Sequence, residues 1–130
     1  MPEVYCRNSN VRLVFSNICI QRVRTSEWDQ VLEGLYAGRE PVEITYSGLY
    51  YSQFDESSAD ICISMAERLP VAALAEPQHA MAFAKLLEED LRDPHAYLER
   101  AENEGCHLYL HYVGQAQEYA VIAKDAAIRS

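Results

Sequence analysis

The sequence predicts one α+β domain spanning residues 1–130: a mostly antiparallel sheet of about five strands with two to three helices packed on one face. Three observations lead there. The chain has 130 residues, the length of one domain and enough to bury a core without a metal or disulfide staple. Segments that alternate apolar and polar residues outnumber those with a 3.6-residue apolar period. The alternating segments follow one another between the helices, which favours antiparallel neighbours over parallel crossovers. The predicted order is β-α-β-β-α-α-β-β.

A first strand is expected over residues 11–24. In "VRLVFSNICIQRV", Val11, Leu13 and Phe15 share one face. Ile18 and Ile20 continue it after a one-residue slip near Asn17, as a bulge produces. The next stretch, "TSEWDQVLEGLYAG", reads as a helix. Trp28, Val31, Leu32, Leu35 and Tyr36 form one apolar stripe at helical spacing. Ser26 and Asp29 are placed as a capping pair, and Gly38 as a left-handed stop. Trp28, Leu32 and Leu35 should then anchor this helix on the sheet.

Val42, Ile44 and Tyr46 alternate with Glu43, Thr45 and Ser47, which is strand period. A polar "DESSAD" loop separates this strand from "ICISMAERL". Tyr50 and Tyr51, adjacent in a strand, should point to opposite faces. One belongs in the core; the other, beside the acidic loop, is a contact residue.

"PQHAMAFAKLLEEDLRD" carries the stripe Ala80, Phe83, Ala84, Leu87 and Leu91, with Pro77 in its first turn. Asp93 and Pro94 end it and start a further helix, which stops at Gly105. "CHLYLHYV" alternates again, with Leu108 and Leu110 on one face and His107, Tyr109 and His111 on the other. "QEYAVIAKD" closes the sheet.

Chemistry-bearing motifs are absent. No phosphate-binding glycine loop, dinucleotide fingerprint or nucleophile elbow occurs. His107 and His111 share a strand face but sit ~13 Å apart at ~3.3 Å per residue, too far to hold one ion together. Cys106 and His107 face opposite ways and form no catalytic pair. The four cysteines, Cys6, Cys19, Cys62 and Cys106, are widely spaced and read as free thiols. Nothing resembles a secretion signal or a membrane span, so a cytoplasmic protein is expected. No catalytic residue, metal or cofactor is expected.

Charge is the strongest functional signal. The net charge is −9, and residues 26–104 hold seventeen acids against five bases. That balance, with two lysines in the whole chain, argues against direct binding to nucleic-acid phosphates. Residues 88–104 alone hold seven acids and two bases. Several of those carboxylates fall at helix C-terminal ends, where they oppose the dipole and have no structural role. Lys85–Glu89 and Glu88–Arg92 are the pairs expected to relieve them.

The expectation is therefore a small acidic protein-binding module. It would be a stoichiometric inhibitor, immunity- or antitoxin-like or of the phage anti-defence, anti-CRISPR-like kind. It would mask the basic, nucleic-acid-binding surface of a target protein. Its contact residues would be Glu88, Glu89, Asp90, Glu99, Glu102, Glu104, Tyr51, Asp55 and Glu56. Two alternatives stand beside it. One is a secretion-type chaperone or adaptor acting as a homodimer. The other is a small ligand-binding protein or enzyme with a pocket lined by His107, Tyr109 and His111.

Overall fold

The computed structural model describes residues 5–6, 12–114 and 117–129. Val11 and Arg7 lie outside them, as do the side chains of Cys6 and Leu13. Seven strands and two helices are present among the described residues. The strands are β1 (Tyr5–Cys6), β2 (Arg12–Thr25), β3 (Asp29–Tyr36), β4 (Glu40–Ser52), β5 (Cys62–Leu69), β6 (His107–Val113) and β7 (Gln117–Arg129). The helices are α1 (Ala80–Leu87) and α2 (Pro94–Asn103), both between β5 and β6.

Every strand pair is antiparallel, in the order β1-β2-β3-β4-β7-β6-β5. The sheet closes because β2 also pairs with β5. The first half of β2 lies on β5, and its second half on β3. The two pairings overlap at Ile18 and Cys19. Six strands thus form a barrel, with β1 appended to β2. This corrects the expected sheet of about five strands and its order of elements.

The largest correction is the stretch from 26 to 38, which is a strand and not a helix. Gln30, Leu32 and Gly34 face inward and are buried, while Val31, Glu33 and Leu35 alternate outward. Leu32 is buried inside the barrel, but Trp28 is 68% exposed and anchors nothing. The local signals served turns instead. Ser26 Oγ does accept from the Asp29 amide (3.3 Å), as a helix cap would, yet Ser26 N also donates to Asp29 O (2.8 Å) to close the β2–β3 hairpin. Gly38 and its neighbour Ala37 both have positive φ, the turn that suits the twist of a hairpin. Gly34 explains why the strand packs here: a Cβ at that position would meet Cys19 O at 2.4 Å.

Two apolar layers result. Inside the barrel, Phe15, Ile18, Ile20, Leu32, Ile44, Tyr46, Ile63, Tyr109 and Val121 pack together. The β4–β5 connection places Phe54 in the same core. Outside, α1 packs on β7 and α2 on the segment Val71–Ala75, and Ala82, Leu86, Leu98 and Ala101 share one apolar cluster with Val71, Leu74, Leu108, Leu110, Ala120 and Ile122. Strands β6 and β7 are therefore buried on both faces. His107, Tyr109 and His111 do share a face, but it is the barrel interior, where His111 and Tyr109 are closed off from solvent.

The thiol expectation is also corrected. Cys19 and Cys62, 43 residues apart in sequence, are direct partners across β2 and β5 and form a disulfide. Nothing in their spacing reveals this, because barrel closure brings them together. Cys106 is free and buried. Among the described residues no helix is long and apolar enough to cross a membrane.

Candidate partner-binding groove

The end of β4 carries the candidate site. A register shift between Leu49 and Tyr51, where β4 pairs with β7, breaks strict alternation. Tyr50 and Tyr51 consequently both pack toward the helical layer, half-buried, instead of pointing to opposite faces. Tyr97 of α2 meets them. Its ring lies 4.8 Å from that of Tyr50 and 6.4 Å, edge-on, from that of Tyr51.

Gln53 fixes this arrangement from below. Its Nε2 donates to the Tyr51 hydroxyl (3.0 Å) and to Ala82 O (2.8 Å), and its Oε1 accepts from Ala120 N (2.8 Å). One side chain thereby links β4, α1 and β7. Gln30, buried on β3, does the same at the floor. Its Nε2 donates to Thr25 Oγ1 and Phe54 O, each at 3.0 Å, and its Oε1 accepts from Ser52 Oγ.

Between these supports runs an open groove of about 690 Å³. Leu49, Tyr50, Tyr51 and Tyr97 line it together with Asp55, Glu56, Ser57 and Glu89, and with Thr25, Gln30, Ser52 and Phe54. Asp55 caps the 3-10 turn Glu56–Ser58, accepting from Ser57 N (2.8 Å) and Ser57 Oγ. Those bonds from Ser57 hold its carboxyl below the usual range, so it stays ionised.

The tyrosines respond oppositely. Burial first, then Tyr50, Tyr51 and Glu89, push the Tyr97 phenol up to about 12, with Arg100 pulling against them. Burial raises Tyr51 too, opposed by the Gln53 hydrogen bond and reinforced by Glu89 and Glu88. Tyr50 is raised by burial; Arg100 lowers it and Glu104 raises it. At neutral pH the groove thus sets neutral phenols beside the ionised Asp55 carboxylate.

Of the nine residues expected to bind a partner, Tyr51, Asp55, Glu56 and Glu89 meet at this groove. Glu88 and Glu104 lie close enough for their charges to act on Tyr51 and Tyr50. Asp90, Glu99 and Glu102 are exposed and do not line it. The acids also sit differently from expectation. Helix α1 ends at Leu87, so Glu88, Glu89 and Asp90 follow it in a turn where Asp90 has φ 55°. The relieving pairs do not form. Lys85 instead lies 3.9 Å over the Tyr119 ring and donates to Glu118 O. Sequence reasoning missed Tyr50, Tyr97, Thr25 and Gln30. The one available signal was Tyr97, an aromatic next to the apolar stripe of an otherwise acidic helix.

The histidine face considered as a pocket wall lies in the core. His111 Nδ1 lies 2.8 Å from Tyr119 O and so must donate to it, which leaves Nε2 to accept from the Tyr46 hydroxyl. Burial pushes His111 down to about 4, against the opposing effect of its backbone hydrogen bonds. With Phe15, Phe54 and Tyr46 packed on its ring, this group is a core member, not a pocket wall. His79 and Glu118 pair at 2.9 Å, buried where α1 begins against β7. Among the described residues no group of three or more His, Cys, Asp or Glu side chains is placed to hold a metal ion. No protein-family model matches the chain, and comparison with curated proteins and with solved structures returns no match.

Proposed function

We propose that this protein is a binding module that docks the basic surface of a partner protein through the acidic, tyrosine-walled groove at the end of β4. The observation that carries the proposal is the composition of that groove. Glu56 and Glu89 line it with three half-buried tyrosines and make no ion pair among the described residues. On β3 and β4, by contrast, Glu33 and Glu43 bind Arg22, Arg24 and Arg129. Half-exposed aromatics beside uncompensated charge suit an interface, where tyrosine supplies contact area at small entropic cost.

The module acts as a stoichiometric inhibitor, masking arginines and lysines with which its target would grip nucleic-acid phosphates. Immunity proteins, antitoxins and phage anti-defence proteins share that logic. A cytoplasmic site of action belongs to this reading and carries a condition: in a reducing compartment the Cys19–Cys62 bridge opens to a dithiol.

The test is competition. A partner recovered on the immobilised protein should lose its grip on nucleic acid as the protein is added, reaching full loss at one equivalent. A partner that holds nucleic acid and this protein at once contradicts the inhibitor reading.

A further inference from the structure

We propose that the groove is a receptor for an arginine side chain presented by the partner. The proposal rests on the docking reading above and goes one step further, from a basic surface to one residue type. The groove supplies the two things a guanidinium seeks at once. Tyr51 and Tyr97 bring aromatic rings, and Glu56 and Glu89 bring carboxylates, to the lining of one groove. A planar guanidinium stacks on a ring and reaches a carboxylate with two parallel N–H donors. A lysine ammonium is a compact, strongly hydrated charge and gains less from a ring.

Size agrees. The groove, open and about 690 Å³ in volume, has room for a side chain laid along its surface. Its own cations leave it open. Lys85 is turned to Tyr119, Arg24 is held by Glu33 and Glu43, and Arg100 does not line the groove. The wall is also prearranged. The Gln53 bond to the Tyr51 hydroxyl and the Tyr50–Tyr97 contacts hold the rings before any ligand arrives, which lowers the entropic cost of binding.

The experiment is an NMR titration of the isotope-labelled full chain with two peptide amides, hexa-arginine and hexa-lysine, of equal charge at equal salt. Hexa-arginine should bind at least about fivefold tighter, the ratio given by one extra cation–π contact of about 1 kcal/mol. The signals of Tyr51, Tyr97 and Glu89 should move. Glu89→Gln, an exposed isosteric change, should weaken hexa-arginine several-fold more than Glu102→Gln does. Tyr97→Phe keeps the ring and should keep the preference; Tyr51→Ala should remove it, with an unchanged amide spectrum elsewhere showing that the fold is intact. Equal affinities for the two peptides would overturn the arginine receptor while leaving basic docking standing. So would shifts confined to residues outside the groove. Binding of neither peptide, with a partner still captured and released by salt, would overturn it as well. Failure of that partner to respond to salt would remove the docking reading itself.

Discussion

Tyr50 and Tyr97 hold each other through a reciprocal pair of hydrogen bonds. The Tyr97 hydroxyl donates to Tyr50 O at 3.3 Å, and the Tyr50 hydroxyl donates to Tyr97 O at 3.4 Å. The pair ties α2 to the end of β4 and sets the wall of the groove. Each bond should contribute about 1 kcal/mol. Tyr50→Phe and Tyr97→Phe, measured singly and together by urea unfolding, should each cost about that much. Single costs close to zero would mean that the rings, and not the hydroxyls, hold the helix.

The Cys19–Cys62 bridge spans the seam where β2 meets β5. Closing a 43-residue loop should stabilise the fold by about 4 kcal/mol if the entropy of the unfolded chain dominates. Thermal unfolding with and without reductant checks this. Reduction should lower the melting temperature of the natural chain and leave Cys19→Ser/Cys62→Ser unchanged. Thiol titration of the unfolded, unreduced chain should find these two cysteines unreactive.

His111 gives a pH dependence with a definite sign. In the unfolded chain it titrates near its ordinary value of 6.5; in the fold it refuses the proton until about 4. Between these values the unfolded state binds the extra proton, so stability falls as pH is lowered from about 6.5 to about 4. The loss reaches about 3 kcal/mol at the lower end, and this group has no effect above pH 7. Denaturant midpoints across that range should flatten in His111→Gln relative to the natural chain.

Gly34 distinguishes strand from helix by sign. In an exposed helix, Gly34→Ala would stabilise the protein by about 1 kcal/mol. On β3 the added methyl would meet the Cys19 carbonyl at 2.4 Å. The substitution should therefore destabilise by about 1–3 kcal/mol, as overpacking against a neighbouring chain does.

How far the sequence reveals this molecule depends on whether a local signal has one structural meaning. Helix α2 was legible because Asp93 and Pro94 mark a start in one way only: Ala96 N donates to Asp93 Oδ1 at 3.1 Å, and Gly105 follows with positive φ. Residues 26–38 were not. Ser26, Asp29 and Gly38 suit a helix's ends as well as two hairpin turns, and the inward set Gln30, Leu32, Gly34 holds one large apolar residue. The long strands on either side decide the matter, and their pairing is non-local. The same holds for His111, whose face was assigned correctly but whose exposure depends on a barrel closed by β2 and β5. The groove was legible as charge and as Tyr51 beside an acidic loop. Its other half was hidden by the register shift that turns Tyr50 and Tyr51 to the same side.

The central claim is that the carboxylates at the groove serve a partner, and one variant tests it most directly. Glu88→Lys and Glu89→Lys reverse the exposed charge just past α1, and Asp90→Asn neutralises a position whose φ of 55° a lysine would strain. Cations there also suit the C-terminal end of the helix. The measurement is the rate and affinity of partner association against salt, taken with the unfolding free energy of the same protein. The account predicts stability that is unchanged or slightly raised and affinity that falls several-fold. It also predicts that the natural chain's association slows as salt rises past 0.1 M, where the Debye length is ~10 Å. Undiminished binding by this variant at every salt concentration would contradict it.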